Sequence, residues 1–447
     1  MVKLPFYCNL FILWRFIEEL IAGLNYFNMK KITFLLAGFL LFNYTCFCCT
    51  IVSCARNGQV FAAGNEDDYL STLYARVWFN PPTNGHYGMV SFGLPDLQAQ
   101  TIMNEYGLFV DFTAQYSINP SKFNIQHPYY GDLFFEILST CKNVKEALAF
   151  LKDHQYAYSS QALLADAEGN SVIVNVEANT IKEGDYQVNT NFNICDLKKG
   201  VSDRRYNIAK EMLSGHANLS VGYFRDILNR THQEGNLTTL YSYVFDIKKG
   251  LIYVYFFHNF DNAWVIDIKK ELKKDYRLEN LADHFPTSYA YETLIQKDPG
   301  YKKEQVLAEI YTKGADNVIT KYLSDTSLYS TMLEVGLQLV KDAWNQQGNG
   351  GMWLYWFGLP GGYSVQHFTD SRLNAAQRIF TSLLQRRAPD IKLKNFMIEI
   401  EAYINLVQGN TKEAKYLYEQ ASASQNDAYP LSYNRAKEML REIGMNN

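Results

Sequence analysis

The feature that most constrains this chain is Cys46-Phe47-Cys48-Cys49-Thr50, standing at the end of the apolar run Ile32 to Tyr44. A cut between Cys48 and Cys49 would leave a first residue carrying both a thiol and a free α-amine. An α-amine with a pKa near ~8 is a base tethered beside a nucleophile that needs one. Whatever folds downstream must then bring its acids and amides back to that terminus.

Met29-Lys30-Lys31 followed by Ile32 to Tyr44 has the form of a signal peptide, a short cationic start and then an apolar stretch. Cys46 and Cys48 fall three residues and one residue before Cys49, where a signal peptidase takes small side chains. The run is short for a retained span of about 20 residues, and Tyr44, Cys46 and Phe47 fit a lipoprotein signal poorly. Residues 1–28 are apolar but interrupted by Arg15, Glu18 and Glu19, so translation is expected to start at Met29. Residues 1–48 are therefore read as a leader, with the product exported, periplasmic or secreted, and without a stable membrane span after cleavage. Cys8, Cys46 and Cys48 leave with it. Cys49, Cys54, Cys141 and Cys195 remain, too sparse for a disulfide framework, and Cys141 and Cys195 read as core residues.

A hydrophobic content of 47% with 20% charged residues supports a large core and excludes wholesale disorder. The net charge of −4 gives no basic surface for nucleic acid. The eight histidines show no His-x-x-x-His spacing, so no metal site is expected. Gly348-Asn349-Gly350-Gly351 lacks the lysine of a phosphate loop, and no cofactor is expected.

Past the leader, Thr50 to Ala62 reads as two strands turned at Asn57-Gly58, which returns Gly64-Asn65-Glu66-Asp67-Asp68-Tyr69 to the neighbourhood of Cys49. Further strands are expected at Arg76–Phe79, Gly88–Phe92, within Met103–Phe112, as a pair across Gln161–Glu177, at Val188–Phe192, as a pair across Tyr241–Phe257 and at Ala263–Ile268. Helices are expected over Tyr130–Leu151, Ser202–Leu213 and Tyr223–Arg230. Strands in two blocks with helices between them predict a layered α+β domain over 49–285. From 286 to 447 the pattern is helical: Tyr301–Leu323 and Leu328–Trp344, then an irregular Gly- and aromatic-rich insertion over Gln346–Gly362. Ala376-Gln377-Arg378-Ile379-Phe380 is echoed by Ala414-Lys415-Tyr416-Leu417-Tyr418 roughly 38 residues on, a degenerate tetratricopeptide-like pair near that repeat's period of about 34. Such helices serve either as a cap on the first domain or as a surface for a protein partner or a second copy.

Cys49-Thr50, Asn65-x-Asp67 and Met103-Asn104-Glu105-x-Gly107-Leu108 resemble the choloylglycine hydrolase and penicillin V acylase family. Thr190-Asn191-Phe192 followed by Ser202-x-x-Arg205-Tyr206 resembles its neighbouring branch, the aminopenicillanate acyltransferase-like enzymes. The resemblance runs from Cys49 to Phe285. It implies a four-layer αββα N-terminal-nucleophile hydrolase fold, followed here by the all-α, tetratricopeptide-like region. It also implies Cys49 as nucleophile, Asp67 orienting its amine, Asn191 donating to the oxyanion and Arg205 near the sulfur favouring thiolate. Residue by residue, Asp67 competes with Glu66 and Asp68, Asn191 with Asn189, and Arg205 with Arg204. Two departures stand out. Gly64 replaces the Arg that bile-salt hydrolases carry before Asn-x-Asp, which puts bile salts in doubt. The family's further asparagine, after the Gly-Leu strand, is replaced by something near Thr113-Ala114; the family can use the backbone N–H there for the oxyanion, so Ala114 need not abolish the chemistry. Phe112, Tyr116 and Trp78 are candidates to line the acyl pocket.

The expected activity is hydrolysis of linear, non-peptide amides of small N-acyl compounds. Acyl transfer to an amine and cleavage of N-acyl homoserine lactone-type signals use the same nucleophile. The reading from another class is an inactive exported scaffold that binds a partner through its C-terminal helices.

Overall fold

The computed structural model describes residues 49–445 apart from 70–73, 116–126, 128, 130, 157–159, 216–217, 236, 299, 348–354, 356–365, 386–390 and 424–429. The expected leader, Tyr116 and most of the Gly-rich insertion lie outside the described residues.

Asn57-Gly58 turns the chain on itself with positive φ at both residues (52° and 76°), which a tight two-residue hairpin requires and which Asn and Gly adopt at least cost. It joins β1 (Thr50–Arg56) to β2 (Gln59–Tyr69), with Arg56 opposite Gln59 and Thr50 opposite Asn65. These two are interior strands of a six-stranded sheet ordered β10-β1-β2-β11-β12-β13, completed by β10 (Tyr186–Asn189), β11 (Leu237–Asp246), β12 (Leu251–Phe256) and β13 (Asn259–Asp267). An eight-stranded sheet runs β14-β3-β4-β5-β6-β7-β8-β9. Its strands are β3 (Arg76–Asn80), β4 (Met89–Gly93), β5 (Ala99–Asn104), β6 (Phe109–Ala114), β7 (Ser160–Ala165), β8 (Ser171–Val174), β9 (Asn179–Ile181) and β14 (Arg277–Asn280).

Alternation along the strands shows how the layers stack. In the eight-stranded sheet Val90, Met103, Phe109, Leu163 and Ile173 join a core shared with Ile51, Val52, Ala62 and Tyr243 of the six-stranded sheet. Their neighbours Met89, Ile102, Val110, Leu164 and Val172 point the other way, onto α1 (Leu133–Thr140) and α2 (Val144–Asp153). A period of two puts successive side chains on opposite faces, so each strand seals two cores at once. On the far side, α3 (Arg204–Ser214) and α4 (Val221–Thr231) cover the six-stranded sheet, with Phe61 of β2 stacked on Phe224 of α4 at 5.0 Å. The result is helices, sheet, sheet, helices.

The helical stretch expected over Tyr130–Leu151 is two helices. The first ends at Thr140, and Asn143 caps the second, its side chain accepting from the Glu146 N–H. Tyr301–Leu323 likewise divides into α5 (Tyr301–Lys313) and α6 (Ala315–Leu323) at Gly314, whose φ is 86°. The sequence reading also passed over β9, β14 and most of β5.

Beyond Asn280 the described chain is helical. After α6 come α7 (Tyr329–Asn345), α8 (Ser371–Gln385), α9 (Ile391–Val407), α10 (Thr411–Ala421) and α11 (Pro430–Met445), around a separate core containing Ile319, Leu339, Phe380, Ile404 and Tyr418. Within it Glu399 is fully buried and is held by Arg435 at 2.8 Å, by Ser432 and by Tyr355. The α+β part and a helical C-terminal region are therefore both present. Arg76 of β3 pairs with Glu304 of α5 at 2.7 Å across them. Among the described residues no helix is long and apolar enough to cross a membrane.

Candidate active site

Cys49 immediately precedes β1, a central strand, and its neighbours follow from register. Since Thr50 faces Asn65, Cys49 lies opposite Glu66 on β2. On its other side Ile51 faces Asn189, and continuing that pairing by two residues brings Asn191 level with Cys49. Cross-strand partners share a face, so Glu66 is on the thiol's side. Sγ donates to Glu66 Oε1 at 3.5 Å. Next across the sheet, Tyr241 faces Glu66 and Tyr243 faces Gly64.

Asp67 points to the opposite face, toward the α3–α4 layer. Its carboxylate accepts from Thr239 Oγ1 and, at 2.8 Å, from Gln233 Nε2, and lies 3.7 Å from Arg205 Nη1. Only its backbone N–H reaches the sulfur. The carboxyl in contact with the thiol is thus that of Glu66, one of the alternatives kept open above. Asp68 also borders the site, and Asn189 is buried on β10.

Arg205 is the hub. The extended Asp203 caps α3 through the Tyr206 N–H, which turns Arg205 inward and leaves Arg204 exposed. Its Nη1 donates to the Cys49 carbonyl oxygen at 2.9 Å, and its Nη2 donates to Asn191 Oδ1 at 3.1 Å and Asp203 Oδ2 at 3.0 Å. The expected contact of Arg205 with the sulfur is corrected here: the guanidinium holds the backbone of Cys49, and the sulfur faces the other way. Because Asn191 Oδ1 accepts from Arg205, its amide nitrogen is turned toward β6, where it donates to the Ala114 carbonyl at 3.0 Å. An amide nitrogen carries two hydrogens, so one donor remains for a ligand.

The electrostatics follow from burial. Cys49 is pushed well above the ordinary thiol range by desolvation, then by Glu66, Asp67 and Asp111, against the pull of the Asp67 N–H. Desolvation and then the nearby Asp111, Asp67 and Asp68 push Glu66 well up. Asp67 is raised to about 7 by burial, opposed by Thr239, Arg205 and Gln233. Burial likewise raises Asp111 well above the carboxylate range. Burial thus favours the protonated form of the thiol.

Asp111 reaches the site from β6 of the other sheet, on the same face as Phe109. A Cβ built on Gly64 would lie 2.2 Å from Tyr243 Oη and 3.1 Å from Asp111 Oδ2. Any side chain at 64 would therefore meet a tyrosine and an acid, which would have to shift to admit it. Glu66 Oε2, Asp111 Oδ2 and the hydroxyls of Tyr241 and Tyr243 are buried without hydrogen-bond partners among the described residues. Carboxyls raised in the folded chain bind protons there at pH values where the unfolded chain has released them, so they lower stability as pH rises from about 4, for Asp67 up to about 7. Asp111→Asn should flatten this fall, raising Tm more at pH ~8 than at pH ~5 relative to the parent. Equal shifts at both pH values would show that Asp111 carries no such charge.

Cys49 opens onto a cavity of about 320 Å³ lined by Glu66, Asp68, Asp96, Phe112, Ala114 and Phe134 among others. Phe112 and Phe134 meet edge to face at 4.9 Å on one wall. Trp78 does not line this cavity. It sits on β3, separated from β6 by β4 and β5, and packs under Gly93. Glu66 and Asp111 are the acids that motif spacing underweighted or missed. The hairpin register would have found the first, since the Asn57-Gly58 turn fixes which residue faces Cys49. Nothing local marks the second.

These elements, a buried thiol heading a central strand between two facing sheets and ringed by acid and amide groups, agree with the family-level resemblance. Residues 54–261 match the model of the acyl-coenzyme A:6-aminopenicillanic acid acyl-transferase family. The matched stretch contains Asp67, Ala114, Asn191 and Arg205 and begins after Cys49. Among solved structures, a variant of conjugated bile acid hydrolase from Clostridium perfringens is 14% identical with a TM-score of 0.42, over 54% of this chain and 99% of that one. Penicillin V acylase from Agrobacterium tumefaciens is 16% identical with a TM-score of 0.40, over 53% and 92%. No curated protein sequence matches the chain. The resemblance to this group drawn from the sequence is borne out by the family match.

Proposed function

We propose that this protein is an exported cysteine amidase that hydrolyses linear, non-peptide C–N bonds of N-acyl compounds through an acyl-Cys49 intermediate, in a catalytic domain spanning 49–285. The observation that supports it most is the position of Cys49, at the head of a central strand and on the wall of a cavity, with Glu66 and Asn191 level with it. No Lys, Arg or His is among the described residues lining that cavity. The base is then the α-amine that cleavage ahead of Cys49 releases.

The amine takes the thiol proton and the thiolate attacks the amide carbon. The oxyanion is met by the remaining Asn191 N–H and the Ala114 backbone N–H. Collapse breaks the C–N bond, and the ammonium returns its proton to the leaving nitrogen. Water, deprotonated by the same amine, attacks the thioester, releasing the acid and restoring the thiol. Asp67 and Arg205 hold the backbone frame of Cys49 from the opposite face.

The second reading, acyl transfer to an amine, is favoured by the name of the matched family; in it an amine replaces water in the last step. Cleavage of N-acyl homoserine lactone-type signals would use the same steps. The last four helices, read as a tetratricopeptide-like pair within 286–447, are proposed as a surface for a partner or a second copy.

The test is a panel of N-acyl amino acids, penicillin V, conjugated bile salts and neutral N-acyl amines, with mass analysis of trapped thioester. Neutral amines should be cleaved ahead of glycine and taurine conjugates, because Asp68 and Asp132 line the cavity and no Lys or Arg among its described lining residues offsets a substrate's negative charge. Cys49→Ser should abolish labelling by a thiol-reactive acyl probe and Cys141→Ser should not. Equal labelling of both variants would remove Cys49 from the mechanism.

A further inference from the structure

Away from the thiol, the loop that follows α4 carries His232, Gln233 and Glu234 into β11, and the turn between β12 and β13 carries His258. One ligand atom from each of His232, Glu234 and His258 lies within 4.8 Å of the other two. The two rings are 5.1 Å apart at their centroids. We propose that these three side chains form a divalent-cation site suited to zinc.

Ring orientation is the first argument. A metal-binding histidine hydrogen-bonds through one ring nitrogen and presents the other to the ion. Nδ1 of His232 is held by the Asn229 carbonyl oxygen, which makes Nε2 the lone-pair nitrogen, and that atom faces Glu234 Oε1 at 3.2 Å. The Thr238 hydroxyl donates to the Gln233 carbonyl oxygen and so accepts, at 2.8 Å, from Nε2–H of His258, the tautomer that places the lone pair on Nδ1. Both tautomers are therefore fixed by groups outside the cluster. Two imidazoles and one carboxylate are a donor set that zinc takes readily, with a water as fourth ligand.

The backbone is the second argument. Hairpin turns that need positive φ use Asn-Gly, as at Asn57-Gly58. Here Phe257 and His258 occupy that conformation, with φ of 46° and 64°. This orientation directs His258 back toward β11 and His232. Glu234 is exposed and both histidines are half-buried, so the carboxylate can swing to close ligand distances to about 2.0–2.2 Å. Spacing along the chain hides the site, because its ligands come from two separate loops.

The site also has a physical connection to the thiol's surroundings. Gln233, between two of the ligands, donates to Asp67 Oδ2, and its backbone N–H donates to Thr239 Oγ1, which in turn donates to Asp67.

Full-length exported protein carrying Cys49→Ala, which removes the nucleophilic thiol as a zinc ligand, is stripped with chelator and titrated with zinc chloride by calorimetry. The expected result is one zinc per chain, with affinity weakened about tenfold or more by His258→Asn and by Glu234→Gln. Glu234 is exposed, so its variant reads binding without a folding defect, and circular dichroism checks both. Absence of zinc uptake, or uptake unchanged in both variants, would overturn the site.

Discussion

Arg205→Met should destabilise the folded protein by about 3–5 kcal/mol and lower kcat by at least ~10²-fold. The stability loss comes from Asp67, whose fully buried carboxyl keeps Thr239 and Gln233 but loses the one guanidinium beside it. Asp67 already sits at about 7; without Arg205 it rises further, and the loss of stability should be smaller at acidic pH, where the carboxyl is neutral. The activity loss has a separate origin. Arg205 fixes the Cys49 carbonyl and the Asn191 amide at once, so removing it frees both the backbone of the proposed nucleophile and the proposed oxyanion donor. Arg205→Lys should recover part of the stability and little of the rate, since one ammonium cannot span those acceptors as a planar fork does. Denaturant unfolding at two pH values and steady-state kinetics check the pair. A variant with native stability and rate would mean that this hub is not used.

Asn191→Ala should lower kcat by about 10²–10³-fold and change KM little, because the contact it removes is made to charge that develops only in the transition state. Single-turnover acylation is the direct readout, and formation of the acyl-enzyme should slow by the same factor. A mutant slowed only in KM would make Asn191 a binding residue and leave the oxyanion to the Ala114 N–H. The structural cost falls on the Ala114 carbonyl, which loses its donor, while Arg205 Nη2 retains Asp203.

Much of this arrangement is legible in the sequence where the signal is local. Asn57-Gly58 specifies a hairpin for a stated physical reason, and from it follow the two central strands and the return of Glu66 and Asp67 to Cys49. Arg204-Arg205 sits at a helix start, and the Asp203 cap shows why the second arginine turns inward. Motif spacing favours Asp67, but side chains alternate along a strand, so the register puts Glu66 on the sulfur's face and Asp67 on the other. Asp111, Tyr241 and the steric closure at Gly64 arise where one sheet meets another. Such contacts join residues far apart in the chain and leave no periodic trace. Trp78 reads as a pocket residue because aromatics often line pockets, yet strand order sets two strands, β4 and β5, between it and β6. The helices were found by periodicity, and their breaks at Asn143 and Gly314 needed capping and φ to be seen.

Everything turns on whether Cys49 becomes the first residue. The decisive measurement is the N-terminal sequence and intact mass of the exported protein, before and after a brief exposure to a cleavable N-acyl amide. The account predicts a chain that begins at Cys49 and gains one acyl mass on that residue, lost on incubation in water. A fully active chain that begins elsewhere, or that carries its acyl group on another residue, would contradict it.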